Sequence, residues 1–110
     1  MAQVIQLSQR GSSGVASVRF ERSELDQILS VYFRFVSRGE WKDYAIAHGA
    51  KEARFCVFRH TNDRPLFTIA KADGKAANRY AVYEGTKKVR QGRRLIDVLG
   101  VFKKRSLKSL

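Results

Sequence analysis

The stretch SELDQILSVYFRFVSRGEWKDYAIAH, residues 23–48, holds two different periodicities joined at a glycine. Leu25, Ile28, Leu29, Tyr32 and Val36 recur at helical spacing, with Gln27, Ser30, Arg34 and Ser37 on the opposite side. That is the pattern of an amphipathic helix. Ser23 with Asp26 offers a cap at its start, and Gly39 stands where a helix ends on a left-handed residue. Val31, Phe33 and Phe35 widen the apolar face, which predicts a helix buried on two sides. Beyond Gly39 the period falls to two, as Tyr44, Ile46 and His48 alternate with Ala45 and Ala47. A helix therefore hands over to a strand, and the rest of the chain repeats the strand signal.

After a turn near Gly49, residues 53–59 put Phe55 and Val57 on one face and Arg54, Cys56 and Phe58 on the other. The one Pro, Pro65, opens a strand over residues 66–72, and Asp73-Gly74 starts a loop before a strand at residues 80–84. Glu84-Gly85-Thr86 reads as a tight connection to a short basic strand around Val89. Leu95, Val98, Leu99 and Phe102 then recur at i, i+3, i+4 and i+7, a second amphipathic helix that runs into Lys103-Lys104-Arg105. Upstream, residues 15–20 alternate weakly and read as a short strand. Helix, hairpin-linked strands and helix make an α+β order. The expectation is an antiparallel sheet of four to five strands, flanked by an N-terminal and a C-terminal helix packed on one face. Residues 1–14, ending in Arg10-Gly11-Ser12-Ser13-Gly14, read as a flexible lead-in in which Val4-Ile5-Gln6-Leu7 can add an edge strand. Residues 15–105 form the single domain, and residues 106–110 a basic tail.

Composition narrows the class. A chain of 110 residues with 44% hydrophobic and 11% aromatic residues can build one core without staples. A single Cys excludes an internal disulfide and fits a reducing, cytoplasmic setting. The N-terminal segment lacks the apolar run of a secretory signal, and no window approaches a membrane span. Charge is the outstanding quantity: 22 Lys and Arg stand against 10 Asp and Glu, a net of +12. Residues 56–110 hold 14 basic and 4 acidic residues, so the excess lies in the second half. Self-repulsion on that scale works against compactness, and such an excess points to a polyanionic partner, nucleic acid above all.

The blocks VRFERSELDQIL (18–29), GEWKDYAI (39–46), FCVFR (55–59), RPLF (64–67) and LIDVL (95–99) follow one another in an order that resembles a known family. The chain is similar to the small alphaproteobacterial family catalogued as domain of unknown function 2794, over residues 18–104. Its most specific block is Gly39-Glu40-Trp41-Lys42-Asp43-Tyr44-Ala45. The resemblance implies a bacterial, cytoplasmic protein and supplies no activity. It also implies a more apolar strand between Gly85 and Gly92 than the one here, which carries Lys87, Lys88 and Arg90.

Lys87, Lys88, Arg90, Arg93 and Arg94 lead into the start of the last helix. Unpaired N–H groups at a helix N-terminus favour phosphate, and arginines beside them can grip it bidentately. Cations there oppose the helix dipole unless an anion joins them, although a solvated basic turn reads equally simply. Lys103, Lys104, Arg105 and Lys108 suit a helix C-terminus for stability alone. Arg54, Arg59, His60, Arg64, Lys71, Lys75 and Arg79 form a second group, of which Arg59 and Arg64 flank one strand connection. If these share a face with Phe58, Phe67 or Tyr83, a base can stack on the ring while Arg holds the phosphate; otherwise the rings fill the core. Trp41 reads either as an aromatic closing the core edge or, with Phe33 and Phe35, as a protein interface.

Enzymatic readings find little footing. His48 and His60 show no metal-ligand spacing with Cys56 or a carboxylate pair, no glycine-rich phosphate loop follows a strand, and Cys56 sits mid-strand as an inert thiol. The residues therefore point to a non-enzymatic nucleic-acid-binding domain with no metal, cofactor or membrane partner. It contacts phosphates through Lys87, Lys88, Arg90, Arg93, Arg94, Arg59 and Arg64, with little base specificity. The alternative is a protein–protein adaptor docking to a larger complex. DNA against RNA, and single against double strand, stay open.

Overall fold

A computed structural model of the chain describes residues 2–6, 17–60, 64–74 and 79–108, with the backbone alone for residues 2–6 and 104–108. The elements run β1 (Ala2–Gln6), α1 (Arg22–Ser37), β2 (Asp43–His48), β3 (Glu52–Phe58), β4 (Phe67–Ala72), β5 (Tyr80–Glu84), β6 (Lys87–Gly92) and α2 (Leu95–Lys108). All six strands form one sheet in sequence order. The five antiparallel strands are β2 to β6, so the α+β fold with a helix at each end is as expected.

The strand count rises to six because Ala2–Gln6 takes the outer edge of β2, in parallel. A parallel pair needs a crossover, and α1 supplies it. The edge strand foreseen at residues 4–7 thus lies at Ala2–Gln6, and residues 7–16 fall outside the described residues. This pairing also explains a correction at residues 17–20, the described part of the strand expected at 15–20. β1 occupies the β2 edge as far as His48, so Val18 reaches only Gly49, in a single antiparallel bridge with N–H to carbonyl oxygen at 2.7 Å. At the other terminus α2 continues to Lys108, so helical backbone enters the segment read as a tail from residue 106.

α1 starts at Arg22, one residue before Ser23. Its N-cap is Glu21, whose backbone N–H donates to Glu24 Oε1 at 2.7 Å, and not Ser23 with Asp26. Its end is as the sequence implied. Gly39 adopts φ +77°, its N–H reaches Val36 O at 2.9 Å, and the Glu40 N–H reaches Phe35 O at 2.9 Å, a Schellman closure.

The strand register assigns the two sheet faces. Val57, Phe55 and Ala53 pair with Phe67, Ile69 and Lys71 of β4, and Ile69 and Lys71 pair with Val82 and Tyr80 of β5. Paired residues share a face, and this one is buried under both helices with Ile28, Val31, Tyr32 and Phe35 of α1 and Leu95, Val98, Leu99 and Phe102 of α2. The other face carries Ala45, Ala47, Arg54, Cys56, Thr68, Ala70, Ala81 and Tyr83, and no described helix covers it. One end of the core is aromatic. Trp41 stacks on Phe35 at 4.5 Å between ring centroids, and Phe102 meets Trp41 edge-on at 5.3 Å and Phe67 at 5.0 Å.

That cluster corrects the interface expectation. Trp41 is 4% exposed and Phe35 2%, so both are core residues out of a partner's reach. Phe33 is 60% exposed, which also narrows the expected two-sided burial of α1.

Candidate nucleic-acid interface

The seven basic residues singled out in the sequence do not form one strip. Arg59 and Arg64 leave the β3–β4 connection, and the neighbouring β5–β6 turn is tied to it by the Gly85 N–H on Leu66 O at 3.0 Å. Lys87 and Lys88 therefore stand at the same end of the sheet. Arg93 and Arg94 follow β6 at the opposite end. Six residues of strand separate the groups by roughly 17 Å at about 3.3 Å per residue.

Arg90 is employed elsewhere. Register with Val82 turns it to the helix side, where its Nη1 donates to the Asp97 carbonyl oxygen at 3.2 Å. Gly100 lies alongside, where a Cβ would meet that Nη1 in ordinary contact at 3.4 Å. Lys88 pairs with Tyr83, lies 5.9 Å from the centre of its ring and donates to Gln91 Oε1 at 3.0 Å. β6 is the outer strand of the sheet, and charged side chains on such an edge deter pairing with other chains. Lys87, Lys88 and Arg90 thus have a structural use that requires no ligand. The stacking platform is reduced as well, because Phe67 is in the core while Tyr83 and Phe58 are half-buried on the face opposite the helices.

What the fold does assemble is a depression of about 380 Å³ lined by Glu24, Gln27, Arg79, Tyr80, Arg93, Arg94, Leu95 and Ile96. Arg93 and Arg94 come from the loop leading into α2, and Arg79 immediately precedes β5. None of the three makes an ion pair with a described residue. The Nε of Arg79 is buried and lacks a hydrogen-bond partner, and its guanidinium carbon lies 5.6 Å from the Tyr80 ring centre. Arg94 opens α2, its carbonyl accepting from Val98 N–H at 3.4 Å. A guanidinium has no acceptor to offer the helix's first N–H groups, so this terminus has no cap from its own N-cap side chain.

Beneath the arginines lies a buried polar network that the sequence reading missed. Lys71 is 3% exposed and its Nζ donates to Glu24 Oε1 at 2.7 Å and to Arg19 O at 2.8 Å. The Tyr80 hydroxyl donates to Glu24 Oε2. Burial raises the Glu24 carboxyl, but the hydrogen bonds from Lys71, Tyr80 and the Glu21 N–H together outweigh it and hold the group below its ordinary value. Burial and then the Glu24 bond push the Tyr80 hydroxyl up to about 12, so it remains a donor. The signal was present: in β4, Lys71 follows Phe67 and Ile69 on the core parity, where a lysine needs a buried partner.

Cys56 is half-buried on the face away from the helices, with Thr68 Oγ1 at 3.8 Å, and burial raises its thiol, which disfavours the thiolate. Burial followed by the charge of Arg19 lowers His48. Among the described residues, no three of His, Cys, Asp and Glu are placed to hold a metal ion, and no helix is long and apolar enough to cross a membrane.

No curated protein matches this chain, and neither does any solved structure. A family model does match, over residues 18–99, from the bridge at Val18 through the sheet to Leu99 of α2. The chain belongs to the family described as "Protein of unknown function (DUF2794)".

Proposed function

We propose that this protein binds nucleic acid through backbone phosphates at the Arg79, Arg93 and Arg94 rim. One observation carries the reading: three arginines with no described ion-pair partner share one depression at the first turn of α2. The only carboxylate in that lining, Glu24, is already held by Lys71 and Tyr80. A phosphate satisfies the guanidinium donors and the uncapped helix terminus together. Gln27 is the only amide side chain in the lining, so recognition rests on phosphate positions and carries little base information. Arg59, Arg64, Lys87 and Lys88, at the far end of the sheet, act as a separate long-range attraction and are outside the grip. The adaptor alternative loses Trp41 and Phe35 to the core. Cytoplasmic residence, where nucleic acid is within reach, belongs to the same proposal.

The test is fluorescence anisotropy with labelled duplex DNA, single-stranded DNA and duplex RNA across a salt series. Wild type is compared with a variant carrying Arg79→Ala, Arg93→Ala and Arg94→Ala, and with Lys87→Ala/Lys88→Ala. On duplex DNA each phosphate neutralised contributes a salt slope of about −0.9, so the triple variant should flatten the slope by roughly 2–3. The double variant should change it less. Absence of binding near physiological salt, or equal binding by the triple variant, refutes the proposal.

A further inference from the structure

α1 and α2 lie side by side and run the same way. Both start near the arginine depression, which Glu24 and Leu95 line together, and both end towards the Trp41 cluster. Between them is a groove of about 300 Å³, and each wall is a single helical stripe. Gln27, Ser30, Val31 and Arg34 form one wall; Ile96, Leu99, Gly100 and Lys103 form the other. Both sets follow i, i+3, i+4, i+7, so the groove extends over two helical turns, about 10 Å. Val31 and Leu99 make an apolar floor, and Ile96 stands 58% exposed on the rim, one of two large hydrophobic residues left in solvent among the described residues.

The charges are placed at the ends. Arg34 and Lys103 stand together where both stripes finish, and neither makes an ion pair with a described residue. At the other end, Gln27 and Ile96 also line the depression that holds Arg93 and Arg94. An apolar trough two turns long with cations at both ends is the complement of a short helix whose apolar stripe is flanked by carboxylates.

We infer that the α1–α2 groove is a docking site for an acidic amphipathic helix of a partner protein. The apolar stripe of that helix covers Ile96, Val31 and Leu99, and its carboxylates meet Arg34 and Lys103 at one end and Arg93 and Arg94 at the other. This inference shares Arg93 and Arg94 with the nucleic-acid reading, so the two ligands compete there, but it does not rest on that reading. Its decisive residues, Ile96, Arg34 and Lys103, lie outside the three arginines that carry that reading.

The experiment uses fluorescein-labelled synthetic helices of about four turns, long enough to overhang the groove at both ends. One has a Leu stripe flanked by Glu, a second is a scramble of the same composition without the stripe, and a third has Lys in place of Glu. Anisotropy on the full chain should show saturable binding of the first peptide only. Ile96→Glu should weaken it at least about tenfold. Because Ile96 is exposed, an unchanged thermal melt will show that this variant still folds. Arg34→Glu/Lys103→Glu should lose the Glu peptide and gain the Lys peptide. Equal binding of the scramble, indifference to Ile96→Glu, or no binding of the Glu peptide overturns the inference.

Discussion

Removing the ammonium of Lys71 is the sharpest test of how this fold is held together. Lys71→Met keeps an unbranched chain at a position that is 3% exposed, and takes away the donor to Glu24 and to the Arg19 carbonyl. The Glu24 carboxylate is left buried with only Tyr80 and the Glu21 N–H as donors. Breaking a buried pair on one side costs about 3–5 kcal/mol. The variant has one escape, which is to protonate Glu24. At pH 7, neutralising a carboxyl with an ordinary value of 4.5 costs about 3.4 kcal/mol, and that sets a ceiling on the charge penalty. The expected loss is therefore about 3–4 kcal/mol at pH 7, a large share of the roughly 5–15 kcal/mol that stabilises a domain.

The ceiling falls by about 1.4 kcal/mol for each pH unit, and at pH 5 it is about 0.7 kcal/mol. Lys71→Met should thus be strongly destabilised at neutral pH and nearly normal at pH 5. Urea unfolding followed by fluorescence of the single tryptophan, Trp41, measures both, with an unchanged m-value as the two-state control. Glu24→Gln combined with Lys71→Met should recover part of the loss at pH 7, because no charge is then stranded. A deficit below about 1 kcal/mol at pH 7 would refute the reasoning. So would one of equal size at both pH values, since lost packing does not titrate.

Two further outcomes follow from the same geometry. In wild type the Glu24 carboxyl is held below its ordinary value of 4.5, so its contribution is complete above that value and is lost as pH falls through the lower folded one. Urea midpoints should drop below pH 4.5, and Glu24→Gln should flatten that part of the profile while lowering stability at neutral pH. Trp41→Ala opens a cavity between Phe35, Phe67 and Phe102 and should cost about 3–5 kcal/mol, read by thermal melting in circular dichroism. Trp41→Phe should cost markedly less, because a ring still fills the site.

Much of the fold was legible because its signals are local. The change from period 3.6 to period 2 at Gly39 marks α1 and β2, and the left-handed glycine that closes α1 is where the sequence put it. The i, i+3, i+4, i+7 pattern at Leu95 marks α2. The N-cap, at Glu21 and not Ser23, was missed locally; the larger failures are non-local. Nothing within residues 2–6 indicates that they will pair in parallel with β2 across a helix, and once they do, residues 17–20 lose the edge they needed. Phe33 and Phe35 stand two residues apart, which turns them about 200° from each other on the helix, so one is solvent-exposed and the other is in the core against Trp41 and Phe102. The basic residues were read as one clamp because they are close in sequence. A strand between two of them places them at opposite ends of a sheet.

The same geometry separates two reasons for carrying so many cations. On β6, charge protects an open edge, and any exposed lysine would serve. At the other end of the sheet that reason is missing. The N-termini of both helices meet there, each the positive end of its dipole. α1 answers with Glu24 in its capping box, a carboxylate neutralised again by Lys71. α2 has Asp97 in its first turn, yet Arg93 and Arg94 precede it, beside Arg79, and no described carboxylate pairs with any of the three. Arg79 lies over the Tyr80 ring, but folding gains little from Arg93 and Arg94 at the positive end of a helix, where Ser, Asp or Asn in place of Arg94 would cap it and contribute about 1 kcal/mol. The arrangement is locally unfavourable for the free protein and favourable for one that holds an anion at this end of the sheet.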